Sequence, residues 1–409
     1  MKFQRTAWRA AATLGLATAS LTVHATNGYF PHGFGLKAKG MGGAAVALAH
    51  DAFAGVNNPA SSAWVGNRWD IGGEIFMPKR SATVSTPMGP MEIESGKSAF
   101  LIPEFGYNVN LSDRLGVGIT VYGNGGMNTQ YPATFPGDTN FLCSSPTTCG
   151  TGRLGVNLMQ LIVAPTVAYK VSDNHSLGLS PLLVYQQFEA YGLQAFGIPN
   201  QGKDSSTGLG VRLGYMGKLG DRVTVGASYS PKINMSRFDK YANLFAQGGD
   251  FDIPENMAVG VAVQVTPSVQ IAMDYSRINY SGVPSIGNPS LANFANGFGS
   301  PDGPGFGWQD VKVVKLGVQW QMNSQWTLRA GYNQGTNPIQ SADVFLNTIA
   351  PGVIKSHITL GGTYALSGQE ELSFAAWHGR KNTVTGSIPA PTTIGMSQNG
   401  FGLQYSRKF

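Results

Sequence analysis

The sequence predicts an all-β protein, a 14-stranded antiparallel transmembrane β-barrel with an N-terminal plug (hatch) in its lumen. Two features of the chain and its composition point that way. Apolar residues recur at every second position in many separate runs, as in Val223, Val225, Ala227 and Tyr229, or Trp326, Leu328, Ala330 and Tyr332. Successive strand side chains point to opposite faces, so each run has one greasy and one polar or small face. The connections between runs alternate between short and long, the rhythm of bacterial outer-membrane barrels. Charged residues make up only 12% of the chain, glycine is high at 55 residues, and the mean hydropathy is −0.06. No stretch after the first 25 residues approaches the ~18 uninterrupted apolar residues that a spanning helix needs.

The first 25 residues read as a secretory signal peptide. Lys2, Arg5 and Arg9 form a basic start, a short apolar run follows, and Val23-His24-Ala25 offers a small-x-small cleavage site. Without those three side chains the basic residues fall from 28 to 25 against 22 acidic ones, a net charge of +3. That balance is no nucleic-acid footprint.

Residues 26–66 lack two-residue periodicity and are rich in Gly and Ala, with Gly42-Gly43, Asp51 and Asn58-Pro59-Ala60 as their landmarks. A barrel of fourteen strands encloses a channel unless something fills it. This segment is therefore expected to fold inward as a plug.

Residues 67–409 are expected to form the barrel. Runs begin near Arg68, Ser98, Arg114, Asn157, His175, Thr207, Arg222, Pro254, Ser268, Asp310, Gln325, Ile354, Gln369 and Ser397. The short connections are 111–113, 172–174, 219–221, 266–267, 323–324 and 367–368. The long ones are about 78–97, 129–156, 191–206, 236–253, 281–309, 336–353 and 385–396. Such a count puts both ends of the barrel on the periplasmic side. In the last strand Phe401, Leu403, Tyr405 and Phe409 share one face. This terminus, ending on Phe409, resembles the signal read by the barrel-assembly machinery.

Cys143 and Cys149 lie close together in a chain expected to be exported, so a local disulfide is expected. No metal-ligand spacing and no cofactor motif appears. The histidines after the signal, His32, His50, His175, His357 and His378, are scattered, and no G-x-S-x-G elbow is present. An enzyme is not expected. A general diffusion porin for small hydrophilic solutes is the alternative reading, although porins fold an outer loop inward rather than a plug.

The plug segment followed by fourteen strands resembles the FadL/TodX family of outer-membrane transporters for long-chain fatty acids and aromatic hydrocarbons. Gly33-Phe34-Gly35 through Gly42-Gly43-Ala44, Asp51 and Asn58-Pro59-Ala60 carry the likeness. So do 157–160 with 164–169, and Phe251-Asp252-Ile253-Pro254-Glu255. The resemblance implies a monomer in outer-membrane lipid and lipopolysaccharide that takes up hydrophobic small molecules, fatty acids or aromatic hydrocarbons. Its implied route is capture between outer loops, movement of the hatch and sideways exit through the wall. Gly123-Asn124-Gly125-Gly126, in the third predicted strand, match the family's kinked strand, and glycines within a strand mark bulges. The wall is expected to open there, beside Asn58-Pro59-Ala60. In the family the plug's N-terminus lies near the ligand, which here means Tyr29 and Phe30. Leu244 and Phe245 are candidate capture residues in an outer loop. Arg212, Lys315 and Arg329 fall on the polar faces of their strands, where they would meet a carboxylate or, with Asp274 and Glu371, hold the plug by ion pairs.

Overall fold

In the computed structural model, which describes residues 27–145 and 147–409, the chain closes into a barrel around its own N-terminal segment. The predicted signal peptide lies outside the described residues. The strands are β1 (Arg68–Thr86), β2 (Gly89–Glu94), β3 (Phe100–Asn110), β4 (Leu115–Asn128), β5 (Thr139–Ser145), β6 (Thr148–Thr151), β7 (Gly155–Lys170), β8 (His175–Tyr191), β9 (Asp204–Leu219), β10 (Val223–Ser230), β11 (Asn256–Thr266), β12 (Val269–Ile278), β13 (Val311–Gln321), β14 (Trp326–Gly335), β15 (Ser356–Ala365), β16 (Glu370–Gly386) and β17 (Thr392–Lys408). Fourteen of them form the wall, each antiparallel to the next, and β17 closes it by pairing with β1 from Arg68↔Lys408 to Val84↔Thr392. The hairpin strand β2 hangs on the outer end of β1, and β5 pairs with β6 apart from the wall.

The alternation sorts the strands as membrane insertion requires. Outward side chains such as Leu101, Leu209, Leu316, Leu360 and Leu403 are exposed, Leu209 by 69%. In water such a band would be a large liability; facing acyl chains it has no cost. Trp69, Tyr107, Trp326, Tyr364 and Tyr405 stand near the short-turn ends of their strands, and Tyr229, Tyr275 and Tyr332 near the long-loop ends. Two aromatic belts of this kind sit at the two membrane interfaces.

The structure departs from the sequence expectation at the outer rim. The stretch 78–97 is not a free connection: β1 continues to Thr86 and folds back as β2. Likewise β16 runs to Gly386 and β17 starts at Thr392, which shortens the expected 385–396 connection. Strands that rise above the bilayer need no greasy face, so Ser81–Thr86 carries too little alternation to be seen. The 129–156 connection holds the β5–β6 hairpin, where Cys143 and Cys149 form a disulfide.

The plug, residues 27–67, fills the lumen. Its one longer helical turn, α1 (Leu36–Gly40), is followed by Gly42 and Gly43, both in the left-handed region with φ of 68° and 83°. Wall and plug meet there through glycines on both sides. A Cβ on Gly42 would stand 2.7 Å from the Tyr332 amide nitrogen, and one on Gly331 would overlap the Met41–Gly42 peptide. The Gly42 N–H donates to Thr359 Oγ1 at 2.8 Å. Overpacking of such a joint costs about 1–3 kcal/mol. Gly331→Val is therefore expected to raise the rate of limited proteolysis within residues 27–67 by roughly tenfold or more, while the barrel keeps its heat-modifiable mobility on a gel.

Candidate functional site

Buried charges lock the plug to the seam where the barrel closes. Lys37 and Lys39 sit two positions apart on α1, so they leave the helix on nearly opposite sides. Lys37 reaches Glu371 on β16 at 2.5 Å, and Lys39 reaches Glu74 on β1. Arg68 also binds Glu371, at 2.6 Å, and chelates Asp70. Asp70 in turn accepts the Ala52 N–H at 2.7 Å, and Gln404 donates to Asp51. Burial, with Asp70 beside it, holds the Asp51 carboxyl above the usual range. Burial beside Arg329 and Lys37 pushes His50 down to about 3, so its ring is neutral against Gln270.

The other plug landmarks are tied to the wall by neutral groups. Asn58 donates to the Tyr215 and Val46 carbonyls, both at 2.8 Å, and its own Oδ1 caps the turn at Ala60 N. Ser176 donates to the Ala60 carbonyl at 2.9 Å. Asp274 accepts the Ala45 and Val46 N–H groups. Asn58-Pro59-Ala60 thus lies against β8 and β9, where Gly178 and Gly214 leave room.

The wall is incomplete between β3 and β4. The two strands pair only from Phe105↔Val121 to Asn110↔Gly116, the periplasmic half. Above Val121, β4 bulges at Asn124 while still pairing with β7, and Gly125 takes a φ of 153°. Asn124 turns inward and donates to Gln160 at 3.0 Å. Pro103, which has no N–H to offer, lies within the unpaired stretch of β3. A window remains, bounded below by the last β3–β4 pair. Its top is closed by Gly96 N–H bonded to the Gln130 carbonyl and Gln130 N–H bonded to Ser95 Oγ. It faces sideways, not outward.

The plug's first residues stand behind this window. Gly126 N–H donates to the Tyr29 carbonyl at 3.2 Å, so the plug supplies an acceptor that β3 does not. Tyr280 holds the segment: its hydroxyl donates to the Asn27 carbonyl at 2.6 Å and accepts from Tyr29 and Phe30 N–H. The Tyr29 ring packs among Phe30, Phe251, Tyr280 and Trp308. The sequence expectation that the kinked strand neighbours Asn58-Pro59-Ala60 is corrected here. The turn belongs to the periplasmic half of β8–β9, and the kink faces Tyr29, because the bulge at Asn124, nine residues up β4 from Leu115, lies far above the turn.

On the outer side of Tyr29, Phe188, Phe196, Phe245, Phe298 and Phe306 with Leu244 line an apolar cavity with about 30 Å³ of free space. That is room for a water or two, far below the ~300–1,000 Å³ of a ligand pocket. A ligand must displace these rings. None of the candidate cations lines this cavity. Arg212 donates to the Val56 carbonyl at 2.5 Å and to Tyr122 OH at 3.4 Å. Arg329 donates to Gln319 and Thr363. Lys315 stands opposite Asp274 in the β12–β13 register. Leu244 and Phe245 were legible in the sequence; Phe188, in β8, and Tyr280, in the turn after β12, were not, since a single inward aromatic carries no signal of its partners. Among the described residues no three His, Cys, Asp or Glu side chains converge on a metal position.

A plugged, lipid-facing barrel of fourteen strands with a side window defines a bacterial outer-membrane transport protein. Comparison with known proteins agrees. Residues 31–409 match the family model described as outer membrane protein transport protein (OMPP1/FadL/TodX). The chain belongs to that family, a family of transport channels and not of enzymes. Among solved structures it is similar to the Pseudomonas putida toluene transporter TodX, at 19% identity and TM-score 0.69 over 92% of this chain and 99% of that one. A Pseudomonas aeruginosa FadL homologue is 15% identical with TM-score 0.72, covering 93% of this chain and 100% of that one. The Ralstonia pickettii toluene transporter TbuX is 19% identical with TM-score 0.64, covering 92% and 99%. No curated protein sequence matches the chain.

Glu371 is the carboxylate shared by two plug-locking cations. Breaking a buried pair leaves an unpaired charge, and with Glu371 15% exposed the expected loss for Glu371→Gln is about 2–3 kcal/mol. The check is amide exchange in residues 36–52, which should quicken while the β8–β12 wall keeps its protection.

Proposed function

We propose that this protein is a passive uptake channel for hydrophobic compounds, whose solute enters between the outer loops and leaves sideways through the β3–β4 window. The observation that carries this reading is the window itself, unpaired in the wall yet closed at its top. A water-filled pore gives an oily solute no advantage, because the polysaccharide leaflet outside repels it. A side exit delivers it into acyl chains without crossing water. The phenylalanine cavity supplies the capture site, with Leu244 and Phe245 on its wall. The hatch movement required is small: release of Tyr29 and Phe30 from Tyr280 and Gly126 uncovers the window, while the charged lock below stays shut. Gly42, Gly43, Asp51 and Asn58-Pro59-Ala60 act as the fixed part of the hatch. Gly123, Asn124, Gly125 and Gly126 shape the exit. Nothing in the structure favours an open aqueous porin, since the plug occupies the lumen.

The relatives named for toluene transport and for FadL suggest two probe classes. Cells carrying this protein should take up labelled toluene, a labelled long-chain fatty acid, or both, faster than cells without it. Paired bulky substitutions, Gly125→Val with Gly126→Val, should cut that uptake at least tenfold in a normally assembled barrel. Uptake unchanged by them, or stimulation of a small sugar alone, would contradict the side-exit reading.

A further inference from the structure

The sequence points to Arg212, Lys315 and Arg329 as carboxylate partners, and none of the three lines the phenylalanine cavity or the cavity beside the window. Arg80 instead lines the cavity beside the window. Arg80, on β1, is 3% exposed, and among the described residues no ion pair includes it. Its Nη1 donates to the Pro78 carbonyl at 2.9 Å, and its Nη2 donates to Ser95 Oγ at 3.0 Å and to the Lys97 carbonyl. All three acceptors are neutral. Nε has no partner. A guanidinium offers five N–H groups, so two remain unused. An unpaired buried charge is costly, and a carboxylate supplied by a ligand would offset that cost.

Its surroundings say what that counter-charge is attached to. Arg80 lines a cavity with about 30 Å³ of free space, beside Gly28 of the plug, Gly126 and Asn128 of β4, Trp308 and Met396. That is room for a water or two, so a bound head group must widen the space. The cavity adjoins the phenylalanine cavity across one short segment: Leu346 and Ile349 face one side, and Ala350, Pro351 and Gly352 the other. Ser95 and Lys97, which Arg80 braces, form the upper edge of the window.

We propose that Arg80 is a specificity-determining residue: it binds the carboxylate of an amphipathic acid at the window's upper edge while the apolar tail lies in the phenylalanine cavity. The inference rests on the uptake reading above. A neutral hydrocarbon passes the same route without this contact. A charge-assisted hydrogen bond forms from the free Nε–H to the carboxylate, and the head group is released when the tail leaves through the window.

The test uses the purified full barrel in detergent, with oleate and oleyl alcohol as matched probes. Wild-type protein should bind oleate at least tenfold tighter than the alcohol at pH 8. Arg80→Gln should abolish that preference by weakening oleate alone. Because the substitution also removes the brace on Ser95, Ser95→Ala serves as the second variant: it loosens the edge but keeps the charge, and should retain the preference. Equal binding of both probes by wild type, or equal weakening of both by Arg80→Gln, would overturn the proposal while leaving hydrophobic uptake standing. Binding of neither probe would overturn both.

Discussion

The hydrogen bond from Gly126 N–H to the Tyr29 carbonyl is the contact on which the rest of the arrangement depends. In a bilayer every backbone polar group must be satisfied by protein, and a barrel does this by pairing each strand with two neighbours. Here β3 and β4 part company above Val121. Pro103 removes one donor from the β3 edge, the Asn124 bulge turns β4 inward, and the plug takes up the amide of Gly126. The wall is thus completed by a segment that is not part of it. Whatever moves that segment changes the wall.

This division explains why the plug is held so unevenly. Around α1 and Asp51 it is fixed by buried ion pairs and by backbone-to-glycine contacts that tolerate no added atom. Removing one partner from such a cluster costs several kcal/mol, about the margin by which a whole domain is stable. Around Tyr29 and Phe30 the ties are neutral hydrogen bonds to one phenol and one amide, each with a net worth of about 1 kcal/mol, together with aromatic packing. A ligand that inserts among Phe245, Phe251 and Trp308 competes with that packing directly. The plug's weak end is the end nearest the window, and its strong end lies where the barrel seam closes.

The sequence carried the wall well and the site unevenly. Period-two runs such as Val223–Tyr229 locate strands because lipid selects every outward residue. The starts of thirteen of the fourteen runs fall within three residues of the wall strands' starts, and the last, at Ser397, lies five residues into β17. Where lipid stops selecting, as at Ser81–Thr86, the pattern fades and the strand goes unseen. Glycine clusters were legible as irregularities, at Gly42-Gly43 and Gly123–Gly126. What each faces was not, because the contact between residues 29 and 126 depends on closure of the barrel, and that between 80 and 95 on a hairpin whose alternation had faded. For the same reason polar-face parity selected Arg212, Lys315 and Arg329 but not Arg80, the cation that lines the cavity beside the window.

Whether the plug's first residues complete the wall is measured most directly by amide exchange across β4 in Tyr280→Phe. Loss of the hydroxyl leaves Tyr29 and Phe30 N–H without an acceptor and the Asn27 carbonyl without a donor, at a cost of about 1–3 kcal/mol. Exchange at Gly126 and its neighbours in the upper half of β4 should then rise by roughly tenfold or more, while residues 116–121, paired with β3, stay protected. Equal exchange in both halves, or no change at Gly126, would mean that the wall closes without the plug and would contradict the account.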